Sequence, residues 1–456
     1  MKELDSRLYI PREKGTPGPT SRGEDSDYSR VVGLVAAAMF IALVLLGPIM
    51  TVRQAGEADS FGGLRQFGYL LALGLAGYSL RSKRLGWKSF VIPIPIMILM
   101  GWCWISVIWA IDTDASVRRV FLTSTVILTV FWLVRAVDYE RLLTTIRIAL
   151  AILLVVNFLT VLFDPSTGIQ INADVGSTGV FWRGIMSHKN FAGPTCALTI
   201  ILFLFDATKI DWRIRAATIF GSAIFLINSI SKTSMGMLGA GIIAAYILKK
   251  FAGRRRVFLI VGLIFLIFCF YVATTASPEL VTQFINDPKK FTGRGLIWLA
   301  LVRYSADHPM LGAGFESFWN INAESPIYQY GMGFTQLVTE GHMGYLDLLV
   351  TLGYPGLILV VIAMVAWPLA RLFATATAVI EQAGLVCAIL VFAIGQNFTE
   401  STMLERDNIV GVFMLVAIAI LYTLPMGMSA RSSNSKDAAR DVLRTMQKRR
   451  RRTIPV

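Results

Sequence analysis

Charge is scarce in this chain. Of its 456 residues only 16% are charged, while 55% are hydrophobic, and the mean hydropathy is +0.62. Soluble domains carry about 25% charged residues, so the composition excludes an ordinary soluble enzyme and points to a polytopic membrane protein. Histidine is rarer still, with three: His188, His308 and His342. The four cysteines, Cys103, Cys196, Cys269 and Cys387, all fall inside apolar stretches. They read as small buried hydrophobes, with neither a disulfide framework nor metal-ligand spacing. Charge is nearly absent from the middles of the apolar stretches, which counts against an ion-coupled transporter, whose ionisable groups belong at the midplane. The net charge of +14 implies no nucleic-acid partner, because basic residues in a membrane protein set its topology.

A bilayer-crossing helix needs about 20 mostly apolar residues. Twelve intervals meet this roughly: 31–52, 64–81, 88–110, 117–136, 142–163, 190–206, 214–230, 233–249, 256–276, 343–368, 377–397 and 407–425. An all-α polytopic fold of about 12 transmembrane helices is therefore expected. With both termini in the cytoplasm, most of the 43 Lys and Arg fall on the inner side, led by Lys249, Lys250 and Arg254 to Arg256. Residues 1–30 then form a disordered cytoplasmic tail and 31–276 hold spans one to nine. The first apolar run is expected to be an anchor and not a removed signal. A large outer loop occupies 277–342, spans ten to twelve fill 343–425, and 426–456 form a basic cytoplasmic tail expected to touch anionic membrane lipids. The cell's inner membrane is the expected location, with the loop in the periplasm.

That outer loop is the long polar interval of the chain, and its apolar and aromatic content argues against disorder. It carries Lys289, Lys290, Arg294, Arg303 and His308, with His342 at its end. Four constellations collect on the outer side. Arg183, His188 and Lys189 lie within seven residues beside Phe181 and Trp182, a grouping suited to an anionic headgroup or to interfacial anchoring. Lys232 stands in the short turn Ser229 to Ser234, where a lone lysine is either paired, used or snorkelling. Arg294 opens the short apolar segment Leu296 to Val302, flanked at its far end by Arg303. That segment is expected to lie as a helix at the interface, placing a phosphate-matching guanidinium at a helix N-terminus. His342 sits at the mouth of the tenth span, where a histidine suits general-base work near neutral pH.

Other signals read as structural. His308 precedes Pro309 and a turn-rich stretch. Asp112 and Asp114 form a DxD pair that fits a helix start better than a metal site, since no third ligand is apparent. Asn397-Phe398-Thr399 matches a glycosylation pattern common by chance.

Taken in order, RGIMSHKN at 183–190, SISKT at 229–233, TGRGLIW at 292–298, HPMLGAGFESFW at 308–319, GHMGYLDLLVTLGYPG at 341–356 and QNFTES at 396–401 resemble the O-antigen ligase and polysaccharide polymerase superfamily. Within it the chain is most similar to rhizobial exopolysaccharide-production proteins of the ExoQ type. The resemblance implies a multi-span, GT-C-like membrane glycosyltransferase without metal or other cofactor. Its donor would be an undecaprenyl-diphosphate-linked oligosaccharide, and its partners a chain-length regulator and export proteins. By the same resemblance Arg294 would hold the diphosphate and His342 would handle the acceptor hydroxyl, with Lys232, Arg183, His188, Lys189 and Arg303 binding diphosphate or glycan. Lys232 stands where ligases commonly show arginine, which favours a polymerase joining repeat units. A ligase transferring glycan to lipid A-core and a non-enzymatic accessory protein are the alternatives. Met343 stands where the family usually has asparagine. Trp298, Phe315, Phe318, Trp319, Tyr328 and Tyr330 are candidate sugar-stacking rings or interfacial anchors.

Overall fold

In lipid every backbone N–H and C=O must be paired within its own segment, so long apolar runs fold as helices. The computed structural model describes residues 19–50, 62–82, 92–172, 179–251 and 294–426. Its principal helices are α1 (Pro19–Met50), α2 (Gly62–Ser82), α3 (Ile94–Ile105), α4 (Thr113–Ala136), α5 (Tyr139–Phe163), α6 (Lys189–Leu204), α7 (Trp212–Ser229), α8 (Lys232–Lys250), α9 (Arg294–Asp307), α10 (Gly344–Val360), α11 (Trp367–Ala374), α12 (Ile380–Gln396) and α13 (Ile409–Thr423). Among the described residues five helical stretches are long and apolar enough to cross a membrane: Tyr28–Ile49, Thr113–Ala136, Tyr139–Phe163, Gly344–Ala374 and Thr377–Gln396. Shorter apolar helices cover Ile94–Trp109, Lys189–Leu204 and Ile409–Thr423. The chain is thus a multi-pass, mainly helical membrane protein.

Three expectations are adjusted. The tail boundary at residue 30 falls inside α1, which already runs from Pro19. The fold is not purely α: Ile169–Asn172 and Gly179–Trp182 pair as an antiparallel hairpin, β1 and β2. Its Ile, Val, Phe and Trp residues fit a pleated surface. The segment opened by Arg294 is a helix as expected, but it does not lie free at an interface. Ala300, Leu301 and Tyr304 are buried with Ala313, Phe318, Ile327 and Val350 in a small core of their own. The ninth apolar interval, 256–276, lies outside the described residues, as do Lys289, Lys290 and residues 1–18 and 427–456 of the tails.

Polar side chains set the helix ends. Asp112 accepts from Ala115 N at 2.9 Å and caps α4, so the DxD pair is a helix start. Asn408 accepts from Val410 N at 2.9 Å and caps α13. At the end of the bundle away from the site, buried Arg147 of α5 donates to the carbonyls of Leu202, Phe205 and Asp206. A cation there satisfies the open carbonyls at the C-terminus of α6.

The segment 308–320 is stitched into the bundle. Helix α10 is interrupted at Gly353, whose φ is +68° and ψ −178°. The freed groups are met by the incoming loop: Tyr354 N donates to Pro309 O at 2.8 Å, and Ala313 N donates to Val350 O at 2.8 Å. On the other side Ser116 Oγ donates to Phe315 O, and Arg119 donates to the carbonyls of Glu316, Trp319 and Asn320. Broken helices are tolerated at membrane depth when neighbours re-satisfy the backbone in this way.

A Cβ on Gly353 would lie 2.3 Å from Met310 O in addition to adopting a left-handed φ. Gly353→Ala is predicted to cost at least about 1–3 kcal/mol and to lower the melting temperature of the detergent-solubilised protein. Gly236→Ala, with nothing within 4 Å of its Cβ, is predicted to leave it unchanged or slightly raised.

Candidate functional site

Acidic residues are the minority charge here, 29 against 43 basic, and one of them gathers the basic residues. Glu400, in the turn between α12 and α13, accepts from Arg294 Nη2 at 2.9 Å and from Asn190 Nδ2 at 3.0 Å, both on Oε1. Its other oxygen, Oε2, lies 3.4 Å from His342 Nδ1. Glu340 Oε1 lies 3.0 Å from the same imidazole nitrogen. Neither carboxylate makes a well-aligned hydrogen bond with that nitrogen, so the attraction is that of an ion pair more than of a directed bond. The guanidinium of Arg294 also donates to Thr399 O. Thr399 Oγ1 meets Thr233 Oγ1 at 2.9 Å, tying in the turn beside Lys232.

His342 is held in a left-handed conformation, φ +50°, uncommon for a residue with a side chain. Its neighbours fix it: Trp298 Nε1 donates to Gly341 O at 3.1 Å, Gly341 N donates to Asp347 Oδ2 at 3.2 Å, and Gly344 N donates to Asn397 O at 3.0 Å. Asp347, in the first turn of α10, also takes Trp319 Nε1 at 2.8 Å and Ser401 Oγ. One carboxylate thereby fastens three loop segments around His342.

Burial alone would push the His342 imidazole down, but the Glu340 and Glu400 carboxylates outweigh it and raise its pKa to about 9. His342 is therefore an imidazolium at neutral pH. His188 behaves oppositely. Burial lowers its pKa, and its Nδ1 accepts from Asn190 N at 3.2 Å as the cap of α6. A ring nitrogen accepting a bond carries no proton, so His188 is a neutral cap and not a third cation beside Arg183 and Lys189.

A cavity of about 370 Å³ opens here, lined by Arg183, His188, Glu340, His342 and Glu400. Arg183 is oriented by Thr167 O at 2.7 Å and Ser187 O at 3.3 Å. Arg294 stands behind Glu400. Lys189, resting on the Phe181 ring at 3.4 Å, lies within electrostatic reach of both Arg294 and Lys232. The structure thus brings together Arg294, His342, Arg183, His188, Lys189 and Lys232. It does not bring in Arg303, which is exposed nine residues along α9, half a turn out of phase with Arg294.

Other sequence readings resolve individually. His308 stacks on Tyr304, with centroids 4.4 Å apart, as a structural residue. Asn397 is fully buried, and its Oδ1 accepts from Thr402 N, Thr402 Oγ1 and Met403 N, so it organises a turn and offers no exposed amide. Phe315 and Phe318 are buried core residues, and Tyr330 donates to Asp307 at 2.8 Å. Trp319 lines a second cavity. Glu400 and Asn190 received no role from the sequence. The signal was there, an acid placed at a span end in an acid-poor chain, inside a stretch already singled out.

Glu340, His342 and Glu400 present donor atoms within 4.8 Å of one another, a set a divalent cation could use. Arg294 already occupies Glu400 Oε1, and a second cation beside it would meet the guanidinium charge. The donors fit a proton on His342 better than a metal ion.

The imidazolium contributes stability that is full below about pH 6.5 and is lost as pH rises through about 9. In histidine-labelled protein, NMR titration of the three rings is predicted to show His342 titrating near pH 9 and His188 below the usual value of about 6.5. Glu400→Gln is predicted to lower the His342 midpoint and leave the order of the two unchanged.

No curated protein matches the chain. Residues 217–361, the stretch holding Lys232, Arg294, Glu340 and His342, match the family model described as O-antigen ligase, and over that stretch the chain is similar to the proteins of that family.

Proposed function

We propose that the chain is a membrane glycosyltransferase that joins undecaprenyl-diphosphate-linked repeat units at the outer face of the bacterial inner membrane, as an exopolysaccharide polymerase of the ExoQ type. The observation that carries this reading is the meeting of Arg294 and protonated His342 at Glu400, a carboxylate that lines one cavity together with Arg183, with Lys189 and Lys232 close by. The full architecture in this reading has twelve spans in a GT-C-like arrangement and both termini in the cytoplasm. A chain-length regulator and export proteins are its expected partners.

The chemistry follows from charge. A diphosphate leaves well if its growing negative charge is met. Arg294 supplies a planar fork matched to phosphate oxygens, and Arg183, Lys189 and Lys232 supply point charges nearby. His342, protonated at neutral pH, holds anion better than it accepts a proton. This alters the general-base role expected of it. The acceptor oxygen attacks the anomeric carbon, the bond to the diphosphate oxygen breaks with its electron pair, and the configuration inverts. The hydroxyl proton passes to the Glu340 carboxylate, which lines both cavities.

Purified protein in nanodiscs, given only its host's lipid-linked repeat unit with EDTA present, is predicted to yield a glycan ladder. Arg294→Ala is predicted to cut the rate by about 10²–10³-fold, the usual effect of losing one transition-state donor, and Arg303→Ala to leave it near normal. Product formed only after lipid A-core is added would assign a ligase. Full output from folded Arg294→Ala and His342→Gln proteins would contradict the enzyme reading.

A further inference from the structure

Beside the basic cavity lies a second of about 320 Å³, and the two share a wall that includes Glu340, Ser401 and Asn408. Its character is different. The first is framed by Arg183 and the His342 imidazolium, with Glu340 and Glu400 beside them. The second is framed by Glu316, Glu405, Asp407, Arg406, Trp319 and Asn320. The charges here are largely cancelled. Arg406 pairs with Glu316 at 2.8 Å and with Asp407 at 3.6 Å, and Asp407 also takes Arg65 at 2.8 Å. Arg119 is spent on backbone carbonyls. No surplus of positive charge remains to hold an anion.

Two further acidic groups line the space. Glu316 gives Oε2 to Arg406, while its Oε1 is buried without a hydrogen-bond partner among the described residues. Glu405 is exposed and lines the cavity. Its carboxylate oxygens are hydrogen-bond acceptors that suit sugar hydroxyls. Trp319 is held by its N–H to Asp347, so its ring is a fixed apolar wall.

We infer that this second cavity is the acceptor subsite, built for a neutral, hydroxyl-rich sugar, with Glu405 bonding its hydroxyls and Trp319 walling one side. The inference rests on the transferase reading, since it gives that reaction its second substrate. Geometry favours this division. A sugar in the second cavity reaches a diphosphate-linked one in the first across the shared wall, where Glu340 stands ready for the proton. The cavity's carboxylates and its lack of surplus cations select against acceptors that carry a carboxylate of their own.

The test measures sugar binding, so it does not depend on turnover. Detergent-purified protein is titrated with a neutral gluco-oligosaccharide and with its glucuronate-bearing counterpart, and saturation-transfer NMR and intrinsic tryptophan fluorescence are read. The neutral probe is expected to bind at least about tenfold more tightly than the acidic one, since like charges brought together disfavour a partner. Glu405→Leu is expected to weaken the neutral probe about tenfold, with Glu405→Gln keeping most of the affinity. A melting curve matching the parent shows that each variant is folded. If Glu405→Leu alters the fold, Trp319→Phe serves instead and is expected to reduce the fluorescence response and the affinity together. Equal binding of both probes, or binding unaffected by Glu405→Leu in folded protein, would overturn the inference. A glycan ladder from the same preparation would then leave the transferase reading standing. Absence of a ladder with selective sugar binding would instead remove the transferase reading and keep a neutral-sugar site.

Discussion

The arrangement depends on one carboxylate. Glu400 binds Arg294 and Asn190 through one oxygen and draws His342 with the other. Without it, several cations would share a small volume beside an apolar bundle, and their mutual repulsion would drive them apart or drive off their protons. With it, they stay charged and close. Its side chain is 14% exposed, so solvent screens these attractions less than it would at an open surface.

Precision comes from backbone fastening more than from the charges. The segment leading to Trp319 fills a break in α10 at Gly353, and its carbonyls are held by Arg119. Asp347 then ties Trp319, Gly341 and Ser401 to the start of the same helix. His342 can adopt its left-handed conformation because the residues on either side are fixed. A site on loops is as rigid as a site on helices when the loops are anchored this closely.

Much of this was legible in the sequence, for identifiable reasons. Apolar length located the helices, because lipid leaves few other ways to pair the backbone. Arg294 stood out at the head of a short apolar segment in the polar loop and His342 at the mouth of a span, and the structure sets them around one carboxylate. What escaped was what depends on contact across distance. Glu400 lies more than a hundred residues from Arg294 and looked like an ordinary span end. The protonation of His342 and the neutrality of His188 follow from which partners face each ring, and spacing along the chain does not carry that. Arg303, at the far end of the same segment, read as a further diphosphate- or glycan-binding residue, but helical phase put it on the other side. Phe315 and Phe318 looked like sugar platforms until the small core beneath α9 claimed Phe318 and the main bundle claimed Phe315.

The central claim is that Arg294 and His342, set around Glu400, form a diphosphate site. Native mass spectrometry of the purified protein with undecaprenyl diphosphate, free of any glycan, tests it most directly. The account predicts that the parent protein retains the lipid and that Arg294→Ala and His342→Gln, each folded, lose most of that retention. Undiminished retention in both variants would contradict it.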